Sequence, residues 1–310
     1  MALIDKNGPG RPDEEPADFS GAPRQVHIVG RDGNRLAAEI FGHPEATPVV
    51  LLHGGGQTRH AWSGTGKRLA QAGCRVVSYD ARGHGESDWS DSGDYNPDAL
   101  IGDLYAVVRT FTMPPILVGA SMGGLTSMVA IGESEGDFAS ALVLVDIAAR
   151  LEPDGVNRVL DFMRAHTDGF RNLEEALEAV ARYNPHRPRP RNTDGLRKNL
   201  RLRNGRWYWH WDPRFLDHAT RTQAGEALVQ QARREAAARR IRIPTLLVRG
   251  GSSDVVSPEG ARALLDLIPH AQLADVANAG HMVAGDRNDP FGDAVIGFLT
   301  HHTLFGKRKL

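Results

Sequence analysis

The stretch Pro115-Ile116-Leu117-Val118-Gly119-Ala120-Ser121-Met122-Gly123-Gly124-Leu125-Thr126 decides how this chain is read. Its first four residues form a short apolar run expected of a buried strand. From Leu125 to Ala130 the sequence reads as a helix. Between them lies Gly119-x-Ser121-x-Gly123, the pattern of a nucleophile elbow. At such a joint the chain turns sharply enough to lift a serine hydroxyl above the sheet. The serine backbone is strained there, and its neighbours must lack side chains so that strand and helix can approach closely. The helix that follows aims its positive end at the place where negative charge would develop. With 34 glycines in 310 residues the bare five-residue pattern is weak, and the strand before it and helix after it carry the reading.

Outward from this joint, strands and helices alternate. Upstream, Gln25–Val29 and Arg35–Ile40 flank an Asp32-Gly33 turn and predict a hairpin. Pro48–Leu52 is continuously apolar, as a strand covered on both faces should be, and runs into His53-Gly54-Gly55-Gly56. A helix over Thr65–Ala72, a strand over Arg75–Tyr79 and a helix over Pro97–Thr110 follow. Downstream come the strands Ala141–Asp146 and Thr245–Val248, a helix over Pro258–Ile268, a weaker strand over Ala271–Val276 and a last helix over Asp289–His301. The expectation is an α/β fold with a mostly parallel sheet flanked by helices. Between Ala148 and Ile241 the alternation stops, too long a gap for a simple connection. The domain reading is a flexible arm over 1–23, a core over 24–147 and 241–304, a helical lid inserted at 148–240 above the carboxyl ends of the strands, and a basic tail over 305–310.

A serine hydroxyl near neutral pH needs a histidine to take its proton, and that histidine needs a carboxylate to hold its tautomer. The strand–Ser–helix context predicts the order Ser, acid, His. His281, in a small-residue loop after the last predicted strand, is the expected base; His301 and His302 read as surface. The expected acid is Asp254, in the loop after the Thr245–Val248 strand, with Asp146 as its rival at the end of the preceding strand. Asp80 reads as structural, in its own turn with Arg82. An oxyanion hole needs two backbone N–H groups, expected from Met122 and Gly55. Substrate-binding positions are Gly54, Trp209 and Trp211. The alternation in Trp207-Tyr208-Trp209-His210-Trp211 allows either a pocket wall or an anchor that pins the lid. The segment 182–206 holds nine Lys or Arg residues and one acid. It is a solvated face or, functionally, an attractor for a substrate carboxylate.

A net charge of −1 gives no drive toward nucleic acid or anionic membrane. Cys74 is the only cysteine and reads as a small buried hydrophobe. No run of 18 apolar residues and no secretory h-region is present, so a cytoplasmic protein is expected, with a homo-oligomer left open. The glycine run at 54–56 lacks the lysine or acid of a nucleotide loop, and no ligand spacing marks a metal site; no cofactor is expected.

His53-Gly54-Gly55-Gly56, Asp80-Ala81-Arg82-Gly83-His84-Gly85-Glu86-Ser87, the elbow at Ser121, the Asp254 loop and the Gly280-His281 loop together resemble the α/β-hydrolase family in order and spacing. The resemblance implies an eight-stranded sheet and a triad of Ser121, His281 and Asp254. Within the family the chain looks like the branch of small esterases, lactonases, cofactor-free haloperoxidase-like hydrolases and carbon–carbon bond hydrolases of aromatic catabolism. Epoxide hydrolases and haloalkane dehalogenases use aspartate where this chain has Ser121. The expected activity is hydrolysis of a small-molecule ester or lactone through an acyl-enzyme on Ser121. The alternatives are carbon–carbon cleavage in a vinylogous diketone acid gripped by the basic segment, a perhydrolase-like activity, or a ligand-binding receptor on the same scaffold.

Overall fold

The computed structural model describes residues 4–5, 22–184, 193–221, 224–277, 279–281 and 289–300. The proline-rich segment 185–190, the basic tail, His301 and His302, and most of the N-terminal arm lie outside them. In chain order the elements are β1 (Ile4–Asp5), β2 (Arg24–Val29), β3 (Arg35–Phe41), β4 (Thr47–Leu52), α1 (Ser63–Gln71), β5 (Cys74–Tyr79), α2 (Pro97–Val108), β6 (Ile116–Ala120), α3 (Met122–Glu133) and β7 (Ala141–Val145). The inserted stretch holds α4 (Pro153–Arg164), α5 (Leu173–Tyr183), the one-turn α6 (Asp194–Arg197), β8 (Leu200–Arg203), β9 (Arg206–Trp209) and α7 (Arg214–Arg221). Then come α8 (Ala224–Arg240), β10 (Thr245–Gly250), α9 (Pro258–Leu267), β11 (Gln272–Val276) and α10 (Asp289–Leu299).

One sheet runs β1-β2-β3-β5-β4-β6-β7-β10-β11. From β5 onward every pairing is parallel, whereas β2 and β3 are antiparallel. The eight expected strands are all present; the ninth, β1, is a two-residue piece of the arm paired with β2. The residues of β4, β6, β7 and β10 are buried almost throughout. That burial is why they read as unbroken Val/Leu/Ile runs instead of alternating ones: helices cover both faces. One face packs against α2, α3, α8 and α9 through residues such as Leu104, Met128, Ala238 and Leu264. The other packs against α1 and α10 through Leu69, Phe291 and Val295.

The register aligns the carboxyl ends of the central strands. Leu52 pairs with Gly119, Ala120 with Val145, and Val145 with Val248. The residues that follow each strand, His53, Ser121 and Asp146, therefore emerge side by side at one edge.

The inserted segment differs from expectation in one feature and in one boundary. The inserted segment is not wholly helical, because β8 and β9 form an antiparallel hairpin within it. Helix α8 belongs to the core: Ala237 and Ala238 are buried in it, and a Cβ on Gly132 of α3 would collide with the backbone of Ala237. Arg233 ties α8 to Glu133 of α3 and Asp98 of α2. The polar, alanine-rich sequence of α8 hides this, since alanines serve close helix contact without an obvious apolar stripe. Among the described residues no helix is long and apolar enough to cross a membrane.

Candidate active site

Ser121 stands at the junction of β6 and α3 with φ 45° and ψ −115°. For a non-glycine residue this is a strained conformation, of the kind held only where packing enforces it. Packing does so here. A Cβ on Gly119 would lie 2.5 Å from the Gly123 carbonyl and Gly124 nitrogen, and a Cβ on Gly123 would lie 2.5 Å from Leu52 Cβ. Strand and helix thus close on a joint that only these glycines admit. A serine preceding a helix ordinarily turns its hydroxyl back to cap the first turn. Ser121 makes no such bond. Its Oγ is instead 3.1 Å from His281 Nε2.

His281 is almost fully buried, and its Nδ1 is 2.8 Å from Oδ2 of Asp146, which is equally enclosed. The expected acid, Asp254, is not at this position. Its carboxylate pairs with Arg158 at 3.0 Å, and its loop offers other groups to the site. The Gly250 N–H and the Ser253 hydroxyl both donate to Asp146, each at 2.9 Å. The reason lies in strand order. Both aspartates follow a strand between serine and histidine in sequence, but β7 is the immediate neighbour of β6 while β10 is one strand further out, about 4.8 Å away. Asp146 also takes φ 49°, a left-handed conformation uncommon for a non-glycine residue.

The glycine loop after β4 packs directly on the elbow. The Gly54 N–H donates to Gln57 Oε1 (2.9 Å), and the Gly56 N–H donates to His84 Nε2 (3.2 Å). Among the described residues the Gly55 N–H has no acceptor, and neither has that of Met122 in the first turn of α3. Both residues line the cavity above Ser121. Gly54 does not line it, although a Cβ there would be 3.3 Å from that of Ser121.

Three buried histidines hold this loop. His53 Nε2 accepts from the Ala81 N–H (2.9 Å) and its Nδ1–H donates to the Gly54 carbonyl (2.7 Å). His84 accepts from Gly56 and donates to the Arg82 carbonyl (3.2 Å). His210, from the inserted segment, accepts from the Gly85 N–H (2.8 Å) and faces the Gly56 carbonyl (3.3 Å). Each ring needs one bare nitrogen, so all three are neutral. Burial drives all three below the usual histidine range, His84 down to about 3. In the sequence His53 and His84 appear only as members of the motifs that carry the family resemblance, and none of the three shows a bracing role, since that role exists only once the loops meet. Asp80 is indeed structural, but its partner is Arg59, from which it accepts both backbone and side-chain bonds, while Arg82 pairs with Asp103 at 2.7 Å.

The cavity encloses about 290 Å³, with Ser121, His281, Gly55 and Met122 at one end and Leu125, Val129, Val159 and Leu160 along its walls. Trp209 and Trp211 are not part of it. They stack on each other at 4.9 Å and pack with Phe162 and Phe170 inside the inserted segment, so they anchor that segment. Of the basic residues of this segment, Arg187, Arg189 and Arg191 lie outside the described residues, and four others are engaged elsewhere. Arg201 donates to the Gly85 carbonyl, Arg206 to the carbonyls of Asp168 and Gly169, and Arg197 and Arg203 lie over Trp207 and Trp89. None of the four lines the cavity.

Comparison with known proteins agrees with this architecture. The family model for the alpha/beta hydrolase fold matches residues 47–287. The chain is 29% identical to esterase Rv0045c of Mycobacterium tuberculosis over 82% of this chain and 83% of that protein. The crystal structure of that esterase superposes with a TM-score of 0.67 over 90% of this chain and 92% of the other. Identity to the mouse (Mus musculus) sn-1-specific diacylglycerol lipase ABHD11 is 30%, over 92% of this chain and 88% of the lipase. An E-2-(acetamidomethylene)succinate hydrolase shares the fold with a TM-score of 0.75 at 20% identity, over 90% of this chain and 98% of that one. With the elbow, the strand order and a family match across most of its length, this chain belongs to the alpha/beta-hydrolase family.

Proposed function

We propose that the protein is a serine hydrolase that cleaves a carboxylic ester or lactone through an acyl-enzyme on Ser121. The observation that carries this reading is the continuous contact from Ser121 Oγ to His281 Nε2 and from His281 Nδ1 to Asp146, opening on an apolar cavity. Asp146 holds the proton on Nδ1, which leaves Nε2 bare to take the proton of Ser121 as Oγ attacks the carbonyl. The Gly55 and Met122 N–H groups receive the oxyanion, assisted by the positive end of α3. His281 then returns the proton to the leaving alcohol. Water, activated by the same ring, releases the acid. The esterase and lipase relatives agree with this class of reaction.

Carbon–carbon cleavage by way of Arg197, Arg201, Arg203 and Arg206 finds no support, because these four are bound to carbonyls and rings away from the cavity. The test is Ser121→Ala. It should abolish hydrolysis of p-nitrophenyl butyrate, a fall of about 10⁴-fold or more in kcat, and abolish labelling by a fluorophosphonate. A variant that keeps most of either would refute the reading.

A further inference from the structure

Among the described residues, the cavity over Ser121 is apolar except at one place. Tyr95 and Thr126 line it, but the Tyr95 hydroxyl donates to Asp212 (2.6 Å) and that of Thr126 to the Met122 carbonyl (2.9 Å). Away from the reacting end, the polar side chains left are Gln230 and Arg234. They are four residues apart on α8 and therefore share one helix face. Arg234 is half-buried. Its Nε donates to the Ala149 carbonyl (2.9 Å), and among the described residues nothing accepts from its two terminal nitrogens. The neighbouring acid, Glu235, is bonded to Gln231 (3.0 Å) and paired with Arg239 (3.5 Å). Burial lowers the affinity of Arg234 for its proton, with Glu235 opposing, yet a guanidinium remains charged at any physiological pH. A half-buried guanidinium that lines an apolar cavity, with no carboxylate on it among the described residues and its terminal nitrogens reached by solvent, is a ready partner for an anion on a ligand.

We propose that Arg234, with Gln230 beside it, binds a carboxylate carried by the substrate, so that the preferred ester or lactone is a monoanion with its carbonyl at Ser121 and its carboxylate at α8. A carboxylate matches the two free guanidinium nitrogens in bidentate fashion. A single cation suits a single negative charge better than a phosphate dianion. A cavity of about 290 Å³ suits a short aliphatic or small aromatic acid. The inference rests on Ser121 as nucleophile, and moves the carboxylate-binding role from the basic inserted segment to the core helix behind the elbow.

The experiment compares esters that differ only in charge. On the acyl side, p-nitrophenyl hydrogen adipate is set against its ω-amide; on the alcohol side, 5-acetoxypentanoate is set against 5-acetoxypentanamide. The wild-type protein should favour the acid in at least one pair by tenfold or more. Arg234→Gln should lower kcat/KM for that acid by about 10- to 100-fold, mainly through KM, and leave the amide within about twofold. Arg234→Lys should recover part of the loss. Equal rates for acid and amide in both pairs, or an equal fall on both in Arg234→Gln, would overturn the inference while leaving Ser121 as nucleophile. If no ester is turned over and fluorophosphonate does not label Ser121, the hydrolase reading fails instead. Calorimetry of adipate with Ser121→Ala then decides the anion site alone. Binding that Arg234→Gln removes supports it, and absence of binding overturns it.

Discussion

Replacing Asp146 with asparagine tests the site at its least obvious member. The carboxylate accepts three hydrogen bonds: from the Gly250 N–H and Ser253 hydroxyl at 2.9 Å, and from His281 Nδ1 at 2.8 Å. Oδ1 faces the backbone N–H, and Oδ2 faces the hydroxyl and the imidazole. An asparagine must put its one carbonyl oxygen toward Gly250, because turning its NH₂ there would set donor against donor and leave a buried backbone group unpaired, at about 1–3 kcal/mol. Its NH₂ then faces His281. The imidazole answers by accepting at Nδ1 and carrying its proton on Nε2, the tautomer that cannot receive a proton from Ser121. The expected loss is about 10⁴-fold in kcat, equivalent to about 5.4 kcal/mol of transition-state stabilisation, with little change in folding. Asp254→Asn should do almost nothing. It removes a partly exposed ion pair with Arg158, worth about 0–1 kcal/mol, and leaves kcat within about twofold. The assay is p-nitrophenyl butyrate hydrolysis on both variants, with thermal melting as a folding control. A folded Asp146→Asn variant with near wild-type kcat, or an Asp254→Asn variant that loses a hundredfold or more, would refute the assignment.

Two further outcomes follow from the packing and titration of the site. Gly123→Ala places a Cβ 2.5 Å from Leu52 Cβ in a joint that cannot open, so it should lower stability by about 1–3 kcal/mol and remove most activity; a variant unchanged in both melting temperature and kcat would contradict the close packing of the elbow. His53, His84 and His210 are neutral in the fold and protonate below their usual range, so the unfolded chain binds more protons as the pH drops through about 6.5. Stability is then fully present above that pH and falls below it. The fall is at most about 4 kcal/mol between pH 7.5 and 5.5 for the three together, and chemical denaturation at the two values would expose a flat or rising trend as a contradiction.

The linear chain carried much of this site because its chemistry is written in backbone. A strand, a serine between glycines and a helix are local events, and each leaves a mark within a dozen residues. Ser121, His281 and the glycine loop were legible for that reason, as was the alternation that makes the sheet parallel. The aspartate was not. Chain order admits both Asp146 and Asp254, and nothing in either loop records that β7, not β10, lies against β6. Likewise the tryptophans of the inserted hairpin bear the composition of a pocket wall, yet they stack on each other. The basic residues beside them form a charge block in sequence, yet Arg197, Arg201, Arg203 and Arg206 disperse onto carbonyls and rings.

What the sequence by itself determined is the fold class and the kind of chemistry, because both rest on near-neighbour constraints: periodicity, a strained turn and the residues that tolerate it. What only the tertiary structure decided is partnership across the chain. The acid that holds His281, the three histidines that brace the glycine loop and the guanidinium that lines the cavity all meet their surroundings through contacts 28 to 154 residues apart. Such contacts depend on strand order and on which face a helix buries, and a one-dimensional string specifies these only through the energy of the whole fold.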